Sequence, residues 1–420
     1  MRSGRHLAAR RALLRFLAGS PLVAGFSSPL LAAIEGLAGA QQPPVDAWGD
    51  AATVLSAAGD SGPVITAPEQ AINVFDLQAA AEATLPPAHY GYIATGVDGE
   101  ETQLANRAGY AKLQLRPRRL VDVSRIDMSV DLFGERWNTP IVIAPCGSQR
   151  AFHEEGEIAT ARAAGARGHL QILSTVSSTG VEDVIAARGA PVWYQLYPSP
   201  VWAVTQGLVR RAQAAGCPTV VLTVDLPASN RETLARFARR DDRPCEACHE
   251  PPRLKPMFEG LDNGATPDDA GWRSWDFIAR LRDITPMRLL LKGLVTAEDA
   301  ELAVRYGADG IIVSNHGGRA EPSGRATIES LPEVVATVGG RMPVLVDGGI
   351  RRGADAFKAL ALGARAVMIG RPYLWGLGAF GQPGVERVLE LLTRELEIVM
   401  KVSGTPTIAD IMPRHVFRSE

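Results

Sequence analysis

The segment Gly310-Ile311-Ile312-Val313-Ser314-Asn315-His316-Gly317-Gly318-Arg319 decides the fold that we expect for this 420-residue chain. Its apolar first half has the length of a buried strand, and a histidine and an arginine follow directly. In α/β proteins the carboxyl ends of parallel strands carry the chemistry. A histidine can accept a proton near neutral pH, and an arginine can hold a carboxylate through two parallel hydrogen bonds. The pair predicts an enzyme that removes hydrogen from a small acid.

Seven further apolar runs accompany this one, and amphipathic helical patterns such as Gly156–Arg167 and Ala297–Tyr306 separate them. Eight consecutive β-then-α units predict a closed (β/α)8 TIM barrel, with an open doubly wound sheet as the alternative. We expect a helical extension before the first strand, and a lid of about residues 228–275 between the fourth and fifth strands. The seven runs are Ile141–Pro145, Leu170–Ser174, Val192–Tyr197, Thr219–Asp225, Arg288–Lys292, Pro343–Asp347 and Ala366–Gly370.

Polar side chains follow every one of these strands, so the sequence predicts that they converge at one mouth of the barrel. Two of the strand ends indicate a phosphate site. Asp347-Gly348-Gly349-Ile350-Arg351 opens a helix with glycines that let backbone N–H groups approach an anion, and Gly370-Arg371 follows the last strand. Lys292, at the end of the fifth strand, is either paired structurally or holds an anionic ligand.

From about residue 70 to the C-terminus these motifs resemble the FMN-dependent α-hydroxy-acid oxidising enzymes. That family includes glycolate and lactate oxidases, lactate monooxygenase, and flavin-linked lactate and mandelate dehydrogenases. The resemblance implies FMN as cofactor and oxidation of an L-2-hydroxy acid to the 2-oxo acid. It also implies O2, a quinone or a cytochrome as electron acceptor, and a homo-oligomer, expected to be a tetramer.

The resemblance assigns roles to residues of this chain. His316 would be the base, Asp225 would orient and charge-stabilise it, and Tyr197 would hydrogen-bond the substrate hydroxyl. Lys292 would stabilise negative charge on the reduced flavin.

Two further sets of contacts follow from the resemblance. Substrate contacts would come from Tyr92, Tyr197, Arg231, His316 and Arg319. Cofactor contacts would come from Pro145, Cys146, Gly147, Ser174, Gln195, Thr223, Lys292, Ser314, Asp347, Gly348, Gly349, Arg351, Gly370 and Arg371.

One departure from the family pattern bears on the fate of the electrons. The Pro-Thr-Ala segment of the family is Pro145-Cys146-Gly147 here. The glycine resembles the lactate monooxygenase pattern and predicts extra room beside the reactive edge of the flavin. Oxidase, monooxygenase and dehydrogenase therefore remain alternatives at the level of sequence.

The predicted lid contains a second motif, Cys245-Glu246-Ala247-Cys248-His249. Cys-x-x-Cys-His is the attachment pattern of c-type haem, and Met257 could supply a second axial ligand. A flavocytochrome with haem c on the lid is therefore one alternative function. A Cys245–Cys248 disulfide, a metal site or free thiols are the other interpretations of the motif.

The first 40 residues are predicted to be an export signal. They contain five arginines and one acidic residue, and Arg10-Arg11-Ala12-Leu13-Leu14-Arg15 resembles the twin-arginine pattern. A periplasmic location follows, with a cytoplasmic location as the alternative, and residues 41–67 are predicted to be a flexible linker. The barrel domain would then span residues 68–420.

The bulk charge is nearly balanced, at 44 basic and 46 acidic residues, and does not indicate a nucleic-acid partner. The remaining alternative is a barrel that binds a phosphorylated ligand without catalysis.

Overall fold

The computed structural model describes residues 64–226, 229–241, 255–262 and 274–418. The predicted export signal and all but the last four residues of the predicted linker lie outside these ranges and stay predictions. Within them, no helix combines the length and the apolar character needed to cross a membrane.

A helical extension precedes the barrel, as the sequence predicts. It consists of α1 (Val74–Thr84), α2 (Pro87–Ala94) and α3 (Glu101–Ala111). The side chain of Asn73 caps α1 by accepting a 2.8 Å hydrogen bond from the Phe75 N–H, which satisfies a donor that the helix leaves unpaired.

Two small antiparallel pairs of strands lie beside the barrel. Strand β1 (Leu113–Leu115) pairs with the C-terminal strand β12 (Val416–Arg418), and β2 (Val130–Leu132) forms a hairpin with β3 (Glu135–Trp137). Both pairs lie outside the eight-strand pattern and were not predicted.

Eight parallel strands form the central sheet, each hydrogen-bonded to its neighbours in chain order except at the seam between first and last. The sheet closes because β4 pairs with β11 on one side and meets β5 on the other. There the Ile143 N–H donates to the Leu170 carbonyl at 2.9 Å. The closed barrel is confirmed, and the open sheet is wrong. The strands are β4 (Ile141–Ile143), β5 (Ile172–Ser174), β6 (Trp193–Leu196), β7 (Thr219–Thr223), β8 (Arg288–Leu294), β9 (Gly310–Val313), β10 (Val344–Val346) and β11 (Ala366–Ile369).

Helices follow these strands and bury their apolar faces against the outside of the barrel. Inside it, side chains from alternate positions form a separate core, which Val130 and Leu132 of the β2–β3 hairpin also join. The barrel is therefore packed, and the carboxyl ends of its strands are left to build a site. The helices are α4 (Gly156–Arg167), α5 (Val181–Arg188), α6 (Trp202–Ala214), α7 (Glu232–Ala238), α8 (Asp276–Arg282), α9 (Ala297–Arg305), α10 (Thr327–Val338), α11 (Gly353–Ala361) and α12 (Arg371–Ser403), the last bent at Phe380–Gly381.

The insertion predicted between the fourth and fifth strands is present, and α7 belongs to it, whereas α8 begins just beyond its predicted end. Helix α7 packs on α2 through Phe237, whose Cβ would lie 2.5 Å from a methyl group added at Gly91. Met257, a candidate haem ligand, is fully buried in the main core. Cys245, Cys248 and His249 lie outside the described residues, so the haem, disulfide and metal interpretations stay predictions.

Candidate active site

A cavity lies at the carboxyl ends of the barrel strands, where this fold places its active sites. The residues predicted from seven different strand ends and from α2 meet in it. The predicted residues that line it are Tyr92, Pro145, Cys146, Gly147, Ser174, Tyr197, Lys292, His316, Arg319, Asp347, Gly348, Gly349, Arg351, Gly370 and Arg371.

His316 lies between an acid and a phenol. Its Nδ1 is 2.9 Å from Asp225 Oδ1, and its Nε2 is 3.3 Å from the Tyr197 hydroxyl. Since a carboxylate only accepts, Nδ1 carries the proton and Nε2 has its lone pair toward the cavity. Burial lowers the pKa of the imidazole below its usual value, although the Asp225 charge opposes this. The ring is therefore neutral at neutral pH and can accept a proton.

The backbone of His316 is held in the left-handed region, at φ 58°, which only a small fraction of non-glycine residues adopt. The His316 N–H donates to Ser314 Oγ at 3.0 Å. The same hydroxyl accepts from Lys292 Nζ at 2.7 Å. Ser314 therefore supports the turn from beneath, and it is not among the residues that line the cavity.

Lys292 is fully enclosed and has two carboxylate neighbours from other strands. Its Nζ lies 3.3 Å from Asp347 Oδ2 and 3.9 Å from Asp225 Oδ2. Burial alone would lower the pKa of the ammonium group, but the charges of Asp347 and Asp225 raise it above the usual value. The lysine is thus structurally paired and also lines the cavity, and its contact with an anionic ligand stays a prediction.

Arg319 reaches the cavity with part of its hydrogen-bonding capacity unused. Its Nη1 donates to the carbonyls of Tyr92 and, at 2.8 Å, Thr95. Its guanidinium carbon lies 4.4 Å from the centre of the Tyr92 ring. Nη2 is buried and has no hydrogen-bond partner among the described residues. A buried, unpaired guanidinium nitrogen at the cavity wall fits an incoming carboxylate.

Arg231 does not line the cavity, although its charge contributes, after burial, to lowering the pKa of Arg319. It directly precedes α7, and its Nε is buried without a hydrogen-bond partner in the described part of the chain. The structure therefore brings Arg231 near the site but leaves it outside the cavity wall.

The loop after β10, for which the sequence predicts a contact with an anion, packs closely on α3. Gly348 and Gly349 have φ values of 94° and 81°, and an added methyl at Gly349 would lie 2.1 Å from the Asn106 carbonyl. The glycines thus allow the loop to pack on α3. At the start of α11, the N–H groups of Arg351 and Arg352 donate to Asp355 Oδ2, at 2.9 and 3.0 Å. The chain's own carboxylate therefore takes the N–H groups of Arg351 and Arg352. Gly348 and Gly349 line the cavity, and their contact with an anion stays a prediction.

Cationic side chains gather at the same end of the cavity. Arg351 is buried against the ring of Trp375, 4.8 Å away, and forms no ion pair with a carboxylate among the described residues. Burial and the charges of Arg107 and Arg371 lower its pKa well below the usual value. Burial, with Arg319, also lowers the pKa of Arg371 to about 9. The Asp355 charge opposes the shift at Arg351 only in part, and a phosphate group would supply further negative charge.

Arg371 has most of its donors in use within the chain. It donates to the carbonyls of Ile93, Gly317 and Thr95 at 2.6, 2.7 and 2.9 Å, and also to Gln103. Its charge faces the cavity, but its hydrogen bonds mostly tie α2 to the end of β11.

Two predicted cofactor contacts form a layer beneath the cavity instead of lining it. Gln195 Nε2 donates to Thr223 Oγ1 at 3.0 Å, and Gln195 Oε1 accepts from Ser174 Oγ at 3.1 Å. All three side chains are buried. Gln195 and Thr223 therefore fix the orientation of Ser174, which does reach the cavity.

The room predicted beside Gly147 is filled. A methyl group added at Gly147 would lie 2.5 Å from Val176 Cγ2 and 2.9 Å from the Val176 carbonyl. Val176 lines the cavity as well. The valine side chain occupies the space that the missing methyl leaves, so the glycine alone does not enlarge the cavity. No motif marked Val176, because one apolar residue in a loop carries no sequence signal.

The fold and the cavity are typical of a TIM-barrel enzyme whose strand ends carry an acid–histidine pair, an arginine with an unpaired nitrogen and a cluster of buried arginines. The model of the FMN-dependent dehydrogenase family matches residues 81–418. A peroxisomal (S)-2-hydroxyacid oxidase of Arabidopsis thaliana is 43% identical over 362 residues, 83% of this chain and 97% of that protein. Glycolate oxidase 1 of Oryza sativa subsp. indica is 42% identical over 359 residues, 82% and 95% of the two chains.

A crystal structure of mandelate oxidase with (S)-2-phenylpropionate superposes with a TM-score of 0.74 at 37% identity, covering 83% of this chain and 98% of that one. The chain belongs to the FMN-dependent dehydrogenase family and is an FMN-dependent hydroxy-acid oxidase or dehydrogenase. This assignment replaces the alternative of a barrel without catalysis.

The residues present fit FMN. The positive charges around Arg351 are only partly neutralised by Asp355, Lys292 lines the cavity as a further cation, and apolar side chains such as Met368 and Leu374 complete the wall. Arg351 and Arg371 would hold the phosphate, and Lys292 would lie beside the ring system.

Proposed function

We propose that this enzyme oxidises an L-2-hydroxy acid of the glycolate, lactate or mandelate type to the 2-oxo acid. The observation that carries the proposal is the placement of His316 Nε2 and the unpaired Arg319 Nη2 in one cavity. A proton acceptor and a carboxylate donor at one site match the two functional groups of a 2-hydroxy acid. Bound FMN supplies the two-electron acceptor for the substrate's C2–H bond.

The residues have distinct tasks in this proposal. His316 Nε2 accepts one proton from the C2–H/O–H unit, and the Asp225 carboxylate stabilises the imidazolium that forms, as an acid behind a histidine does elsewhere. Burial raises the pKa of Tyr197 well above its usual value, so its hydroxyl stays protonated and can donate to the substrate oxygen. Arg319, with Tyr92 stacked on it and Arg231 behind it, holds the carboxylate.

An anaerobic titration tests the proposal. The purified protein should be yellow, and some (S)-2-hydroxy acid in a panel from glycolate to mandelate should bleach its flavin absorbance. His316→Gln should bind flavin equally and lose at least ~10²-fold in reduction rate. A colourless protein, or a flavin that no hydroxy acid reduces, would refute it.

The electron acceptor is proposed to be O2, a quinone or a cytochrome, and the oxidases among the relatives favour O2. Mixing the anaerobically reduced protein with each acceptor in turn identifies it by the rate of reoxidation. A haem-staining gel of wild type and of a Cys245→Ala/Cys248→Ala variant decides whether haem c takes part.

We also propose that the mature enzyme is periplasmic and oligomeric. The support is the arginine-rich start of the chain and the family resemblance. Export of a reporter fused to residues 1–45, and its loss when Arg10 and Arg11 become lysines, test the location. Light scattering of the purified protein gives the number of subunits.

A further inference from the structure

The segment 116–121 presents arginines and a protruding leucine on one exposed surface. Arg116, Arg118 and Arg119 surround Leu120, which is fully exposed at 106%. Leu120 adopts φ 58°, a backbone conformation that non-glycine residues rarely take. Its side chain projects into solvent. A single exposed leucine is ordinary on a protein surface, and it gains significance only together with the surrounding arginines and further exposed apolar side chains.

Neighbouring elements extend the same surface. The Arg118 N–H donates to the Ser403 carbonyl at 3.2 Å, and the Arg116 N–H donates to the His415 carbonyl at 2.7 Å. The segment therefore lies against the end of α12 and the approach to β12. Exposed apolar side chains lie on those elements as well: Ile398, Val402, Met412 and Phe417 are 49%, 48%, 41% and 54% exposed. We call Arg116–Val121 with these residues and Arg414 the basic ridge.

The charge of the ridge is not neutralised by its surroundings. Residues 116–125 contain four arginines and one acid, Asp122. None of Arg116, Arg118, Arg119 and Arg414 forms an ion pair with a carboxylate within the described ranges, which include the whole ridge. Burial and then the charge of Arg414, with a contribution from Arg118, lower the pKa of His415. Arg414 and Arg118 thus both act on the imidazole of His415, although the whole chain has a net charge of −2.

We propose that the basic ridge docks this enzyme onto an anionic phospholipid surface. Arginines bind lipid phosphates, and a projecting leucine enters the zone between the headgroups and the acyl chains. A second copy of the chain fits less well, because a two-fold contact would bring the same arginines face to face. An acidic protein would satisfy the arginines, yet it would leave Leu120 without an apolar partner. The proposal does not depend on which hydroxy acid is oxidised.

Co-sedimentation of the full chain with vesicles tests this. We expect binding to vesicles of phosphatidylcholine with 30% phosphatidylglycerol, little binding to phosphatidylcholine alone, and weakening as salt is raised. Arg118→Gln/Arg119→Gln should reduce the partition coefficient about 30-fold, from two surface cations. Leu120→Ser, which keeps every charge, should also weaken binding. Arg162→Gln/Arg167→Gln on α4 is the matched control and should change nothing.

Each other outcome overturns the proposal. Equal binding of wild type and ridge variants would assign vesicle binding to another part of the chain. A change in the number of subunits in the ridge variants, without a change in vesicle binding, would make the ridge an interface between copies. Binding to soluble polyglutamate as strong as the binding to anionic vesicles, with no effect of Leu120→Ser, would indicate an acidic protein partner. Flavin reduction by substrate should stay unchanged in every ridge variant.

Discussion

Replacing Gly147 with alanine tests whether Val176 occupies the space beside the flavin site. The added methyl carbon would lie 2.5 Å from Val176 Cγ2, whereas carbons in contact are normally about 3.5–4.0 Å apart. An overlap of about 1 Å forces the valine or its loop to shift. Overpacking of this kind costs about 1–3 kcal/mol. We therefore expect Gly147→Ala to lower the free energy of unfolding by that amount, and Tm by a few degrees.

A double-mutant cycle isolates the contact. Val176→Ala removes two methyl groups from a half-buried side chain and should cost about 1 kcal/mol. Gly147→Ala/Val176→Ala should then be more stable than the sum of the single changes predicts, by about 1 kcal/mol. The relief is partial because the Val176 carbonyl stays 2.9 Å from the new methyl.

Thermal melts of the four proteins, each saturated with FMN, give the coupling. The melts give the change in the free energy of unfolding for each variant. If these changes are additive within about 0.5 kcal/mol, the two residues do not compete for one space. In that case the glycine would open the cavity as the sequence alone indicates. Rates of reoxidation by O2, measured on the same four proteins, show whether this corner controls access to the reduced flavin.

Three further predictions concern the charges of the site. Asp225→Asn removes a charge that raises the pKa of His316. The plot of kcat/KM against pH falls on its acidic side where His316 becomes protonated, so this acidic limb should move to lower pH. The plateau of kcat/KM should also fall. Arg351→Met should weaken FMN binding about 10- to 100-fold in a fluorescence titration, whereas Arg352→Met, an exposed neighbour, should not. Lys292→Met leaves two buried carboxylates without their cation and should lower the free energy of unfolding in denaturant by about 3–5 kcal/mol; an unchanged midpoint would contradict the pairing.

The barrel and the members of its site were predictable because their signals are local. A buried parallel strand is a short apolar run, and its polar end follows in the next few residues. All eight strands were found within two residues of their ends, and His316, Asp225 and Tyr197 meet as the motifs indicated. Periodicity likewise gave the helices that separate the strands.

What the sequence could not show depends on contacts between distant segments. The acids that pair with Lys292 come from two other strands, and the carboxylate that caps α11 competes with a ligand for the helix start. Val176 fills the space beside Gly147 from a neighbouring loop. None of these leaves a pattern in its own segment, because each depends on how the closed barrel aligns its strand ends.

The incompletely neutralised arginines at the phosphate end make the cofactor part of the protein's own charge balance. Burial and the charge of Arg371 lower the pKa of Arg351, and Asp355 opposes this only in part, so a bound phosphate would relieve the repulsion. A dianion that binds only the folded form raises the free energy of unfolding by mass action. Folding of the chain and binding of FMN are therefore coupled. For a chain predicted to cross a membrane already folded, this coupling would let the loaded enzyme be distinguished from the empty one before it leaves the cell interior.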